Sequence, residues 1–213
     1  HGEYLKADFG NFGALRDTDS MKELYVRSLE SILPNKFTGI CPEFKTGCER
    51  VSKILSEIIP KRIDTNGQRI IFHISGDGKK SSAYTEDTGY VFYEKLIVLA
   101  GKIYFEQGKD ISLPYNFPLV ADDLAQRYGQ RVLRYYNCSF DNSDSEARKL
   151  AGECDFVRDG IKLSLIVLNY LYEKGITLKQ ATSDIPDFYS TSRYVSVDNS
   201  PLKILKRFCT ENA

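Results

Sequence analysis

Arg69–Lys80 reads RIIFHISGDGKK. Its apolar run, Ile70-Ile71-Phe72-His73-Ile74, has strand character and empties into the tight, glycine-rich loop Ser75-Gly76-Asp77-Gly78-Lys79-Lys80. A loop at the end of a buried strand presents backbone N–H groups and a few polar side chains to a ligand. This loop offers one carboxylate, Asp77, and two ammonium groups, Lys79 and Lys80. That set suits an anion such as phosphate better than a divalent cation, which wants several hard oxygen ligands. It is not a P-loop. G-x-x-x-x-G-K-S/T needs a glycine five residues before Gly78, and His73 stands there.

Outward from this stretch, strands alternate with helices. Downstream, the polar turn Glu86-Asp87-Thr88-Gly89 predicts a hairpin after Ser82-Ala83-Tyr84. A helix from Phe92 to Gln107 follows, then a strand from Ile111 to Tyr115 and a helix from Pro118 to Tyr128 with Gly129 as its C-cap. Arg131–Tyr136 reads as a strand and Asn142–Leu150 as a short helix. Asp159-Gly160 opens a strong helix to Tyr172, closed by Glu173-Lys174-Gly175, and Leu178–Ile185 begins another before Pro186. Tyr194–Val197 reads as a strand, and a terminal helix runs to Cys209.

Upstream, the first twenty residues read as a loop or extended arm. A helix capped by Asp19 or Ser20 runs to Leu33, with Leu24, Val26, Leu29 and Ile32 on one stripe, stopped by Pro34 and Asn35. Phe37–Ile40 reads as a short strand, Cys41-Pro42-Glu43 as a turn, and Cys48–Ile59 as a helix ended by Pro60. Such alternation argues for α/β layers.

The composition is that of a soluble globular protein of 213 residues, 42% apolar and 27% charged. Lys+Arg and Asp+Glu both number 29, so no global field draws the chain to nucleic acid or to an anionic membrane. The longest apolar run, Ile161–Leu171, is too short and too interrupted to span a bilayer. The five cysteines include no CxxC pair, which argues against structural zinc and favours reduced, buried thiols in a cytoplasmic protein. His1-Gly2-Glu3 has no signal-peptide character and reads as a cloning scar or an internal start.

Asp159–Val197, DGIKLSLIVLNYLYEKGITLKQATSDIPDFYSTSRYVSV, resembles the end of domain III of the α-D-phosphohexomutases, which include phosphomannomutases and phosphoglucomutases. Asp122–Asn137, DDLAQRYGQRVLRYYN, is similar to that domain's helix–Gly–strand unit. The stretch from Ile70 through Lys109 resembles the family's metal strand, metal loop, hairpin and following helix, and Lys36–Asp64 the opening of domain II. The resemblance implies two three-layer α/β/α domains with mixed sheets. Residues 1–90 correspond to domain II and 91–187 to domain III, with 188–213 a linker strand and helix leading towards a missing domain IV. It also implies an enzyme class that moves phosphate between the 1- and 6-positions of a hexose, with Mg²⁺ as cofactor.

Departures from the family pattern sit at the chemistry. No segment matches the phosphoserine loop, Thr-Ala-Ser-His-Asn-Pro in type. The metal loop D-x-D-G-D-R becomes Ser75–Lys80, with Asp77 in the middle position as the residual metal ligand and Ser75 and Lys79 in place of the other two carboxylates. The sugar loop G-E-x-S-G-H shrinks to Ala151-Gly152-Glu153-Cys154-Asp155. The resulting expectations are no catalytic residue, phosphate contacts from Lys79 and Lys80, sugar contacts from Gly152 and Glu153, and no bound cofactor. The expected partner is a hexose phosphate or another protein, without nucleic acid or membrane. The expected function is a phosphohexomutase-like protein without mutase activity alone. The alternative is the middle section of an active mutase. Each site residue also has an ordinary role: paired lysines are commonly solvated, Asp between glycines forms turns, and His73, Tyr135, Tyr136, Phe188 and Tyr189 suit a core or half-core.

Overall fold

The computed structural model describes residues 19–34, 37–59, 67–137 and 142–189. Residues 1–18 of the expected N-terminal arm, the expected strand Tyr194–Val197 and the expected terminal helix lie outside these residues. The elements are α1 (Asp19–Glu30), β1 (Ile40–Thr46), α2 (Glu49–Ile58), β2 (Gln68–Ile74), β3 (Ser81–Thr85) and β4 (Gly89–Val91). They continue with α3 (Tyr93–Glu106), β5 (Ile111–Pro114), α4 (Val120–Arg127), β6 (Val132–Tyr135), α5 (Ser145–Ala151), α6 (Gly160–Lys174) and α7 (Leu178–Thr182). The molecule is α/β.

Four strands form one sheet in the order β1-β2-β3-β4. β1 and β2 run parallel, from Ile40 opposite Gln68 to Thr46 opposite Ile74. β2–β3 and β3–β4 are antiparallel, so the sheet is mixed. β5 and β6 form a separate parallel pair. Ile70, Phe72 and Ile74 of β2 are buried with Ser81, Ala83 and Thr85 of β3. On the alternate positions Arg69, His73, Ser82 and Tyr84 are more open, and Ile71 is buried as well. One apolar cluster joins Phe72, Ala83 and Val91 to Leu96 and Leu99 of α3 and to Leu163 and Val167 of α6. A second joins Leu29 of α1 and Leu55 of α2 to Ile74 and to Ile161 and Leu165 of α6.

Local chemistry sets the helix ends. The Asp159 carboxylate accepts the Lys162 N–H at 2.9 Å and starts α6. Gly175, at φ +62°, ends it in the left-handed region that glycine enters without strain. Thr177 and Gln180 form a reciprocal capping box on α7.

One expectation is corrected. The strand near residue 40 does not stop at a turn through Cys41-Pro42-Glu43; it runs through Pro42 to Thr46. A proline interrupts a ladder only where its missing N–H would have faced a partner, and among the described residues β1 pairs with β2 alone.

Candidate functional site

The loop joining β2 to β3 closes on itself. The Ser75 hydroxyl donates to Asp77 Oδ1 at 2.6 Å, and the Lys79 N–H donates to the same oxygen at 3.1 Å. The Lys80 N–H donates to Ser75 Oγ at 3.0 Å, and the Ser75 N–H to the Lys80 carbonyl at 3.0 Å. Gly78 sits at φ +73°, where a Cβ would also lie 3.3 Å from Val51 Cγ2. The Ser75 hydroxyl and the Lys79 N–H hold the Asp77 carboxyl below the usual carboxylate range. Lys79 Nζ is 4.0 Å from Asp77 Oδ2, and both side chains are open to solvent.

The N-terminus of α6 is seated on this loop, because the Gly160 N–H donates to the Gly78 carbonyl at 2.8 Å. Tyr93, the first residue of α3, bridges to the next loop. Its hydroxyl donates to the Val157 carbonyl at 2.5 Å, and the Lys80 ammonium lies 5.4 Å from its ring centroid. Burial, with Glu94 nearby, pushes the Tyr93 phenol up to about 12.

Residues 152–159 carry a denser set of charges. Asp155 Oδ2 accepts Lys162 Nζ at 2.5 Å, while its buried Oδ1 has no hydrogen-bond partner. The guanidinium carbons of Arg148 and Arg158 lie 5.8 and 5.6 Å from the Tyr135 ring centroid. Arg148 is engaged, donating to Asp144 Oδ1 at 2.7 Å and to the Tyr136 carbonyl at 2.6 Å. The Arg158 side chain is exposed.

Two depressions flank Tyr93 and these loops. One, of about 380 Å³, is lined by His73, Ser75, Lys80, Ser82, Phe92 and Tyr93. The other, of about 420 Å³, is lined by Tyr135, Arg148, Gly152, Asp155, Arg158 and Asp159. Lys80 and Gly152 therefore face depressions. Asp77, Lys79 and Glu153 line neither. Tyr93 and Arg158 escaped the reading of the sequence, although Arg158 stands directly before the helix-opening Asp159-Gly160. Cys154 is 1% exposed, and burial raises its thiol pKa, so it is no activated nucleophile. His73 is half-buried, with Nε2 at 3.5 Å from the Tyr90 hydroxyl.

The donor set of the Ser75–Lys80 loop does not fit Mg²⁺. Its one carboxylate already accepts two hydrogen bonds on Oδ1 and has an ammonium 4.0 Å from Oδ2. Among the described residues, no three His, Cys, Asp or Glu side chains group to hold a metal ion. Nor is any helix among them long and apolar enough to cross a membrane.

No family model matches the sequence, and no curated protein matches it. Solved structures do match. A candidate phosphomannomutase from Thermus thermophilus superposes with a TM-score of 0.59 at 13% identity, covering 78% of this chain and 50% of its own. A phosphoglucomutase/phosphomannomutase family protein from Burkholderia thailandensis gives 0.56 at 12% identity, covering 81% of this chain and 48% of its own. An N-acetylglucosamine-phosphate mutase of the α-D-phosphohexomutase superfamily, in its apo form, gives 0.52 at 10% identity, covering 80% and 58%. The chain thus spans about half the length of the structures it matches. Over that span, the fold of this chain is the phosphohexomutase fold.

Proposed function

We propose that this chain is a phosphohexomutase-like protein that binds a phosphorylated hexose and does not by itself catalyse the mutase reaction. The observation that carries the reading is the state of Asp77. Its carboxylate is spent inside its own loop, on Ser75 and Lys79, instead of being held open beside further carboxylates. Phosphoryl transfer needs a positioned donor and electrostatic stabilisation of the moving group. The loop chemistry supplies neither a donor nor a metal. The surface around it does supply cations: Lys80 borders one depression and Arg158 the other, and phosphate is recognised by such groups. On this reading the protein is a cytoplasmic pseudoenzyme of carbohydrate metabolism, with Lys80 and Gly152, each lining one depression, nearer the ligand than Lys79 and Glu153, which line neither.

Titration calorimetry with glucose 1-phosphate, mannose 1-phosphate and glucose tests the binding. Saturable heat with the phosphorylated sugars but not glucose supports it, and Lys80→Ala then weakens binding about tenfold, the size of one charge-assisted contact. A turnover assay with the same hexose phosphates, Mg²⁺ and a bisphosphate activator tests the inactivity. Clear metal-dependent conversion refutes that half of the reading. A second reading rests on the half-length coverage of the matched structures, and makes this chain a section of a longer active mutase. The altered metal loop weighs against it, because dividing a longer chain leaves each loop's residues unchanged.

A further inference from the structure

Among the described residues β1 has a strand partner on one side only, and its hydrogen-bonding register can be read residue by residue. The Gln68 N–H donates to the Gly39 carbonyl at 2.9 Å, and Ile40 lies opposite Gln68. In a parallel ladder this turns the backbone groups of Cys41, Glu43 and Lys45 towards β2. The groups of Ile40, Pro42, Phe44 and Thr46 then point out of the sheet. None of these outward N–H or C=O groups has a hydrogen-bond partner among the described residues. Pro42, which has no N–H to offer, stands at one of the outward positions, as edge prolines do. The other outward groups form a seven-residue template for a further strand.

The sequence of the strand selects an occupant. We propose that β1 pairs antiparallel with β1 of a second copy of this chain, with Phe44 at the two-fold axis, to make one continuous sheet across a dimer. In this register Phe44 exchanges both backbone hydrogen bonds with Phe44 of the second copy. The Thr46 N–H donates to the Pro42 carbonyl on either side, so the missing proline N–H costs one bond per strand and leaves the ladder standing. Glu43 then stands opposite Lys45 of the second copy, twice, in non-hydrogen-bonded pairs where side chains approach most closely. Centring the pairing on Glu43 or on Lys45 instead sets like charges against each other. Centring it on Pro42 loses both bonds at the axis. Only the Phe44-centred register among these combines a bonded axis with charge complementarity, and a two-fold, self-complementary contact is the commonest closed assembly. Glu43 also keeps Arg69 of its own chain, at 2.5 Å, on the same sheet face.

Sedimentation equilibrium of the whole chain under reducing conditions, over a range of concentrations, tests the dimer. The expected result is a reversible dimer whose dissociation constant rises about tenfold or more in Glu43→Lys or in Lys45→Glu, and returns towards that of the unmodified chain in the double variant. Circular dichroism confirms that each variant is folded, and the double swap keeps the test decisive if one single variant is not. Hydrogen exchange gives a second readout, since the Phe44 and Thr46 amides become protected as concentration rises. A chain that stays monomeric throughout overturns the proposal. So does a dimer indifferent to both charge reversals, or one in which the Phe44 and Thr46 amides exchange at a rate independent of concentration.

Discussion

The Gly160 N–H donates to the Gly78 carbonyl at 2.8 Å, so the first turn of α6 rests directly on the loop that follows β2. A Cβ built on Gly160 would lie 2.5 Å from the Lys80 carbonyl oxygen and 3.0 Å from that of Gly78. The close approach is of backbone to backbone, and no flexible side chain can move aside. Gly→Ala in a helix ordinarily stabilises by up to about 1 kcal/mol. Here the clash reverses the sign. Gly160→Ala is expected to destabilise the protein by about 1–3 kcal/mol, the usual cost of overpacking. A lowered urea midpoint at unchanged slope shows it; a raised midpoint shows that loop and helix are not in rigid contact.

The same loop makes a prediction about Asp77. The Ser75 hydroxyl is the largest cause of its lowered carboxyl pKa, followed by the Lys79 N–H. A carboxyl depressed in the fold adds stability above its unfolded pKa and loses it as the pH falls through the lower, folded value. Solvent exposure keeps that contribution small, so the sharper test is spectroscopic. Carboxyl-carbon chemical shifts should follow Asp77 titrating below the ordinary aspartate range, and Ser75→Ala should move it back up. If Ser75→Ala leaves the titration unchanged, the loop does not hold the carboxylate as the hydrogen bonds require.

Much of this architecture was legible because periodicity and caps agree. The helix of Asp159-Gly160 starts where the Asp159 cap sits, and ends where Gly175 takes φ +62°. The strand Ile70–Ile74 and the hairpin after it lie within β2, β3 and β4. What failed to show was the tertiary meaning of single residues. Pro42 looks like a break in sequence, yet it occupies an outward position of an edge strand, where no N–H is needed. Tyr93 looks like one more aromatic at a helix start. Its importance lies in a hydroxyl that reaches Val157, 64 positions away in sequence, and no local pattern encodes that distance. The charge on Asp77 is plain in the sequence, but its consumption by Ser75 depends on a loop conformation.

Tyr93 carries an alkaline signature. Burial pushes its phenol up to about 12. A phenol whose pKa is raised in the fold contributes stability that is complete below its unfolded value near 10, and is lost as pH rises towards the folded value. The unfolding free energy should therefore fall between roughly pH 10 and 12, and Tyr93→Phe should flatten part of that fall. At neutral pH the same variant gives up its hydrogen bond to the Val157 carbonyl and should lose about 1 kcal/mol. Urea midpoints measured at neutral and alkaline pH separate the two effects. An alkaline slope that is identical in the variant would remove Tyr93 from the account.

Lys102, only 6% exposed on α3, ties α7 and its C-terminal flank to the core. Its ammonium donates to Asp184 Oδ1 at 2.8 Å and to the Ala181 carbonyl at 3.4 Å, with Glu106 Oε1 at 3.9 Å. Removing one member of such a pair leaves the other charge desolvated, whereas replacing the lysine by an apolar residue of similar length keeps the packing and removes the charge. Asp184→Ala should therefore cost more than Lys102→Met. Asp184 is partly open to solvent, which places its loss at about 1–3 kcal/mol, below the fully buried range. Lys102→Met should stay within about 1 kcal/mol of the unmodified chain. In the double variant the cost of Asp184→Ala should largely vanish, because the buried ammonium that loses its nearest carboxylate is gone. A thermodynamic cycle over the four proteins, by urea unfolding, measures this directly. Additive losses in the two single variants would show that the ammonium is solvated and that packing alone seats α7 on α3.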